Sequence, residues 1–285
     1  MSASGVTPGE PQLTLVDGQP ERCIHLLDRG LQYGDGLFET IRIRHGQPCL
    51  WRAHLDRLRS GAGRLGIPLP DPDLLLAESQ RVAAGLEDGV LKLVLTRGSG
   101  GRGYRPPALA QPRRILSSYV SAADPVEHRR EGIVVRYCST PASVNPALAG
   151  LKHLNRLDSV LARREWDSPA IAEGLMCDDA GTIVGGTMTN LFLWDGERLH
   201  TPPVDRCGIA GTLRALTMTL AAAAGTEVVE RRLARADLDR AQGLFLTNAL
   251  VGVWPVRELE GRRFDLERLP WSLLDAVRQV AQTPG

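Results

Sequence analysis

The stretch LFETIRIRHGQPCLWRAHLDRLRSGAGRLGIP, residues 37–68, holds both periodicities from which a mixed fold is built. Residues 37–44 read as an extended run, and His45-Gly46 forms a hairpin-like turn before Pro48. From Trp51 the apolar residues fall at Trp51, Leu55, Leu58, Ala62 and Leu65, spaced four, three, four and three. That spacing places them on one face of a helix over 51–65. Gly66 and Pro68 stop it.

Upstream, residues 11–16 (PQLTLV) are a second extended run. Downstream, Asp71-Pro72 has the form of an N-cap followed by proline at the first helical position, opening a helix through about residue 85. The strand LKLVLT, a glycine-rich loop at 98–103 and a strand around 114–120 follow. AADPVEHRRE, 122–131, is charge-dense and contains proline, which predicts a linker between a smaller domain at 1–121 and a larger one at 132–285. The second half reads as a strand at 132–138, a helix at roughly 153–166, and strands at 173–178, 182–185 and 190–194. A helix from Gly211 to its C-cap Gly225 comes next, then strands near 227–233 and 243–248 and a terminal amphipathic helix. Strands and helices alternate without the rhythm of a doubly wound sheet, so the expectation is two mixed α/β domains of α+β type with a cleft between them.

Composition removes several classes of function. The 285 residues are 43% apolar and 24% charged, with a formal net charge of +1, so there is no bulk attraction to nucleic acid. No run approaches the ~18 apolar residues a membrane span needs, and the opening MSASGVTPGEPQ has neither a basic patch nor an apolar run. The five cysteines, Cys23, Cys49, Cys138, Cys177 and Cys207, are odd in number and scattered, which fits a reducing cytoplasmic compartment. HExxH, CxxC, EF-hand, Walker and GxSxG patterns are all missing, and the six histidines lack ligand spacing, so no metal is expected.

One imbalance is sharp: of 34 basic residues only Lys92 and Lys152 are lysines. Arginine supplies charge and phosphate contacts as well as lysine does, but cannot act as an amine nucleophile. Lys92 alternates with apolar neighbours in VLKLVLT and reads as a strand's exposed face. Lys152 falls at the expected start of the helix 153–166, where the dipole would ease loss of its proton; the plainer reading is a solvated loop lysine.

GSGGRG, residues 98–103, matches the three-glycine dinucleotide fingerprint, but Tyr104, Arg105, Pro106 and Pro107 follow it where a helix is required. Arg97, Arg102, Arg105 and Tyr104 instead put several carboxylate-binding groups on one loop, which suits an anionic substrate; the bland alternative is a surface connection. In GIAGTLRAL a glycine-threonine pair opens a helix and offers backbone N–H groups to an anion. In HLDRL, Arg57 lies one turn beyond His54. Each alone is more often a cap or a solvated charge. With an amine at Lys152 they describe a pyridoxal phosphate site.

The segments DRGLQYGDGLFETIRI (28–43), WRAHLDRL (51–58), LTRGSGGRGY (95–104), LAGLKHLNRLDSVLA (148–162), TMTNLFLWDG (187–196), GIAGTLR (208–214) and FLTNALVGVWPV (245–256) occur in this order along nearly the whole chain. Taken together, the chain resembles the fold-type IV pyridoxal phosphate enzymes and, within them, the aminodeoxychorismate lyases. GDG, HLDRL and TNLF are shared with the D-amino acid and branched-chain aminotransferases, whereas TRGSGGRGY and LKHLNRL point to the lyases.

That resemblance implies a two-domain homodimer with pyridoxal 5'-phosphate joined to Lys152 as a Schiff base. It places Arg57, Gly211, Thr212 and Leu213 on the cofactor phosphate and Asn248 near cofactor and substrate. Arg102, Tyr104, Arg97 and Phe38 fall at substrate-facing positions. The implied reaction is β-elimination of 4-amino-4-deoxychorismate to 4-aminobenzoate and pyruvate, a step of folate synthesis, with Lys152 as the base. A fold-type IV aminotransferase and a non-catalytic cofactor-binding relative are the alternatives. Where the family often carries a glutamate for the pyridine nitrogen, five residues before the asparagine of NLF, this chain has Gly185. The implied sink is weaker and favours elimination over transamination, unless a side chain such as Thr187 reaches that nitrogen.

Overall fold

The structure, a computed structural model, describes residues 10–121 and 126–284. These form two compact units: one holds 10–121, Lys152–Asn155 and 282–284, the other 126–151 and Arg156–Ala281.

The first unit runs β1 (Leu13–Val16), β2 (Gln19–Pro20), α1 (Arg29–Tyr33), β3 (Gly36–Arg44), β4 (Gln47–Pro48), α2 (Trp51–Leu65), α3 (Pro72–Ala83), β5 (Asp88–Thr96) and β6 (Arg113–Val120). Its sheet is antiparallel, in the order β2-β1-β6-β5-β3-β4. Alternation decides which face is dry: Leu37, Ile41 and Ile43 of β3 are buried with Leu91, Leu93 and Leu95 of β5. The buried stripe of α2, including Leu55, Leu58 and Ala62, belongs to the same core. Helix α2 ends on Gly66 in the left-handed conformation, and Asp71 caps α3 by accepting from Asp73 N, as the local signals dictate. Lys92 is exposed between buried Leu91 and Leu93.

The second unit contains α4 (Val126–Arg130), β7 (Ile133–Tyr137), α5 (Leu157–Arg163), β8 (Ile171–Cys177), β9 (Ile183–Gly186), β10 (Asn190–Trp194), β11 (Leu199–Thr201), α6 (Thr212–Ala223), β12 (Val228–Glu230), α7 (Arg235–Leu238), β13 (Gly243–Asn248), β14 (Gly252–Leu259), β15 (Arg262–Arg263), a 3-10 turn (Leu266–Arg268) and α8 (Trp271–Ala281). Its mixed sheet follows β12-β11-β10-β13-β14-β7-β8-β9, with β15 against β14. Strands β10 and β13 are buried on both faces, which explains their unbroken apolar runs. Leu191, Leu193, Leu244 and Leu246 enter one cluster, while Phe192 and Phe245 stack with centroids 5.0 Å apart in another, with Leu273, Leu274 and Val277 of α8.

Three expectations change. The helix expected at 153–166 begins only at Leu157, because residues 152–154 pair along β3 instead: Phe38 N donates to Lys152 O and Leu154 N to Gly36 O, both at 3.0 Å. The same bonds draw Lys152–Asn155 out of the segment expected at 132–285 and into the first unit. Of the linker expected at 122–131, residues 122–125 lie outside the described residues. Residues 126–130 are helix α4, where His128 meets the Trp254 ring edge-on at 5.4 Å and Arg129 O accepts from Arg278.

Candidate active site

Lys152 stands five residues before α5, so the helix dipole invoked for its amine does not act on it. Its local partner is Phe38: Nζ lies 4.2 Å from the ring centroid, within cation–π range. Phe38 is on the half-buried side of β3, and its neighbour Glu39 points the other way, into the core row between Leu37 and Ile41.

Glu39 is 1% exposed and is met from α2 by two residues one turn apart. Arg57 Nε donates to Oε1 at 2.8 Å and an Nη to Oε2, while His54 Nδ1 lies 2.7 Å from Oε2. Burial pushes the Glu39 carboxyl upward, but hydrogen bonds from Arg57 and His54 outweigh it and hold the group at about 2. Burial also lowers the pKa of His54 against the pull of Glu39, and the charges of Arg57 and Lys152 lower it further. The imidazole is therefore neutral at pH 7, with Nδ1 as the donor. Sequence reasoning missed Glu39; the available signal was an acid at a core-facing strand position.

Arg97 does not face solvent. Its Nε and Nη2 grip both oxygens of Asp35 at 2.8 and 3.0 Å, and its other bonds go to Gly66 O and Leu65 O at the end of α2. With its guanidinium engaged on four sides and 6% of the residue exposed, Arg97 is a brace rather than a substrate ligand. Arg29 shares Asp35 and donates to Gly103 O and Tyr104 O at 3.0 and 2.9 Å. Burial would raise the Asp35 pKa, yet the bonds from Arg97 and Arg29 hold it below the usual carboxylate range. The glycine-rich loop is thus moored by its backbone to a buried arginine, while Arg102 is exposed and Tyr104 is 85% exposed, meeting Tyr33 edge-on at 5.5 Å. No helix follows the glycines, so the dinucleotide reading fails on structure as well.

The remaining candidate residues belong to the second unit. Helix α6 opens at Gly211 with no side-chain cap, leaving the first-turn N–H groups of Thr212 and Leu213 without a capping side chain. A Cβ at Gly211 would come within 2.0 Å of Asn190 Oδ1, so any larger residue there would displace that side chain. Asn190 Nδ2 in turn donates to Ile209 O at 2.9 Å and fixes the approach to the helix. Gly150, two residues before Lys152, exchanges bonds with this turn through Gly208 O and Ala210 N. Asn248 turns β13 into β14 by accepting from Leu250 N and Val251 N at 2.9 Å, and its Nδ2 donates to Met188 O at 3.3 Å.

In the first unit an amine beside an aromatic face and a clamped guanidinium, and in the second an uncapped helix start, are each of the chemistry that a phosphorylated carbonyl cofactor calls on. Comparison with known proteins agrees with that class. Residues 36–259 match the family model described as amino-transferase class IV, and the chain belongs to this family. It is 33% identical over 241 residues to an aminodeoxychorismate lyase of Vibrio harveyi, covering 85% of this chain and 89% of that protein. It is 35% identical over 244 residues to a putative branched-chain-amino-acid aminotransferase of Methanocaldococcus jannaschii, covering 84% and 83%. The crystal structure of 4-amino-4-deoxychorismate lyase from Pseudomonas aeruginosa superposes with a TM-score of 0.90 at 45% identity, covering 94% of this chain and 98% of that one.

Proposed function

We propose that this protein is a pyridoxal 5'-phosphate-dependent 4-amino-4-deoxychorismate lyase that releases 4-aminobenzoate and pyruvate. The observation that carries the reading is the 45% identity to the Pseudomonas lyase across 94% of the chain.

The residues present fit the cofactor. Lys152 is the amine to hold its aldehyde, since Lys92 lies on an exposed strand face. Arg57 in the first unit and, in the second, the start of α6 at Gly211, Thr212 and Leu213 are the groups that would each be suited to hold its phosphate, and Asn248 shapes the turn after β13. The chemistry that pyridoxal phosphate would supply there, when bound, is an aldehyde for the substrate amine and a ring able to accept electrons from the neighbouring C–H bond. Lys152 Nζ takes the proton from C4 of the substrate, and the Phe38 ring face stabilises the resulting ammonium. Loss of that proton and departure of the enolpyruvyl oxygen from C3 leave an aromatic ring and the enolate of pyruvate, whose methylene carbon takes a proton back from the Lys152 ammonium to give pyruvate. Arg102 and Tyr104, held outward on the moored loop, receive the substrate carboxylates.

The same reading makes the protein a cytoplasmic homodimer. Supporting a dimer, Leu157, Val160 and Leu161 line one face of α5 and are 75%, 51% and 50% exposed. The second reading, an aminotransferase, draws on the Methanocaldococcus relative. The deciding assay supplies 4-amino-4-deoxychorismate without any keto acid. Equimolar 4-aminobenzoate and pyruvate are expected; amino transfer from amino acids to 2-oxoglutarate, with no pyruvate release, would overturn the assignment.

A further inference from the structure

One buried carboxylate has no part in the site so far. Glu173, on β8, is wholly inaccessible to solvent, and every group bonded to it is a donor. Oε1 accepts from Gly174 N at 2.9 Å, Thr187 N at 3.1 Å and Thr187 Oγ1 at 2.6 Å; Oε2 accepts from Met188 N at 3.2 Å and Thr189 Oγ1 at 3.0 Å. None of these partners is a cation. Glycine makes room for the arrangement, because a Cβ at Gly186 would lie 2.7 Å from Glu173 Oε2 and 2.1 Å from Thr189 Oγ1.

Four of the five donors belong to Thr187–Thr189, so Glu173 clamps the turn between β9 and β10. That turn adjoins the phosphate cradle within the same unit: Met188 O accepts from Asn248, and Asn190, which follows Thr189, holds Ile209 O ahead of α6. Thr187 is half-buried, and its hydroxyl has a single proton, which is given to Glu173. Its oxygen is left as an acceptor, made more negative by the carboxylate behind it. An acceptor of this kind suits a cationic N–H donor. The ring nitrogen of pyridoxal phosphate is such a donor only when protonated, and its hydrogen-bond partner tunes the electronics of the ring. Gly185 has no side chain to offer in its place.

We propose that Thr187, backed by Glu173 as its positioning residue, accepts the hydrogen bond of the protonated ring nitrogen of pyridoxal phosphate. This rests on the cofactor assignment made above. The test reconstitutes wild type, Thr187→Val, Thr187→Ser and Glu173→Gln with pyridoxal phosphate labelled with 15N in the ring, quantifies bound cofactor by absorbance, and records the nitrogen resonance by NMR. Wild type and Thr187→Ser are expected to show a protonated nitrogen. In Thr187→Val and Glu173→Gln the protonated fraction falls at least tenfold while the cofactor stays bound. A clamp with no role beyond structure would lower the melting temperature and leave that resonance in place. A protonated nitrogen in Thr187→Val, or an unprotonated one in wild type, overturns the proposal. If Glu173→Gln does not fold, Thr187→Val decides, since valine keeps its backbone N–H for Oε1. A wild-type protein that takes up no pyridoxal phosphate overturns the functional reading itself, and this inference with it.

Discussion

Glu39 on β3 holds the Arg57 guanidinium by Nε and an Nη at once, a two-point grip from a carboxylate that is almost fully buried. The grip sets the plane in which Arg57 is presented, so a residue on a strand core decides the aim of a residue on a helix.

Glu39→Gln should therefore cost stability of about 3–5 kcal/mol at pH 7, the usual result of leaving a buried charge without its partner. The sign of the pH effect follows from a carboxyl lowered from 4.5 to about 2. Its contribution is complete above about pH 4.5 and is lost as the pH falls towards 2. His54, whose pKa is lowered below 6.5, adds slope in the same direction, because the folded protein resists its protonation. Urea melts between pH 2 and 7 should show a shallower acid limb in Glu39→Gln; an unchanged limb would remove Glu39 from the acid response.

Lys152→Arg keeps the charge but cannot join an aldehyde, so the variant should lose the visible absorption of bound cofactor and all borohydride-fixed adduct. Lys92→Arg, on an exposed strand face, should stay within about 0.5 kcal/mol of wild type with its adduct intact. Peptide mapping of the reduced protein reads the outcome, and an adduct at Lys92 would contradict the assignment.

Two arginines of the same loop region should separate cleanly. Arg102→Ala is expected to raise KM about 10–100-fold, the worth of a lost charge-assisted bond of roughly 1.5–3 kcal/mol, with no change in melting temperature. Arg97→Ala should lower the melting temperature instead, since it strips Asp35 and the end of α2 of their donors. Steady-state kinetics beside calorimetry would expose the reverse pattern if Arg97 were the substrate ligand.

Gly211→Ala puts a methyl group 2.0 Å from Asn190 Oδ1 without straining its own backbone, which sits at φ −65° and ψ 140°. Asn190 must then give up Ile209 O, and cofactor affinity should drop at least tenfold. Asn190→Ala in the same chain relieves the clash, so the double variant should bind more tightly than the two single losses added together predict. Additive losses, measured by titration of the apoprotein, would mean that the clash is not the cause.

Local chemistry was legible in the sequence. The period-2 runs, the stripe of α2, the Gly66 stop, the Asp71-Pro72 start and the exposure of Lys92 all depend on neighbours a few residues away, and each stands in the structure where its signal lies. The scarcity of lysine singled out Lys152 for a chemical reason that no contact is needed to state. What the sequence could not reveal is where distant segments bond. Leu154 looked helical until β3 took its N–H, Arg97 looked like a ligand until Asp35 and the end of α2 claimed its donors, and Glu39 and Glu173 looked like ordinary strand acids. Only the packed sheets, which bring residue 39 to 57 and residue 173 to 187, decide which donors meet those carboxylates, because a buried charge takes its role from the partners that remain once water is gone.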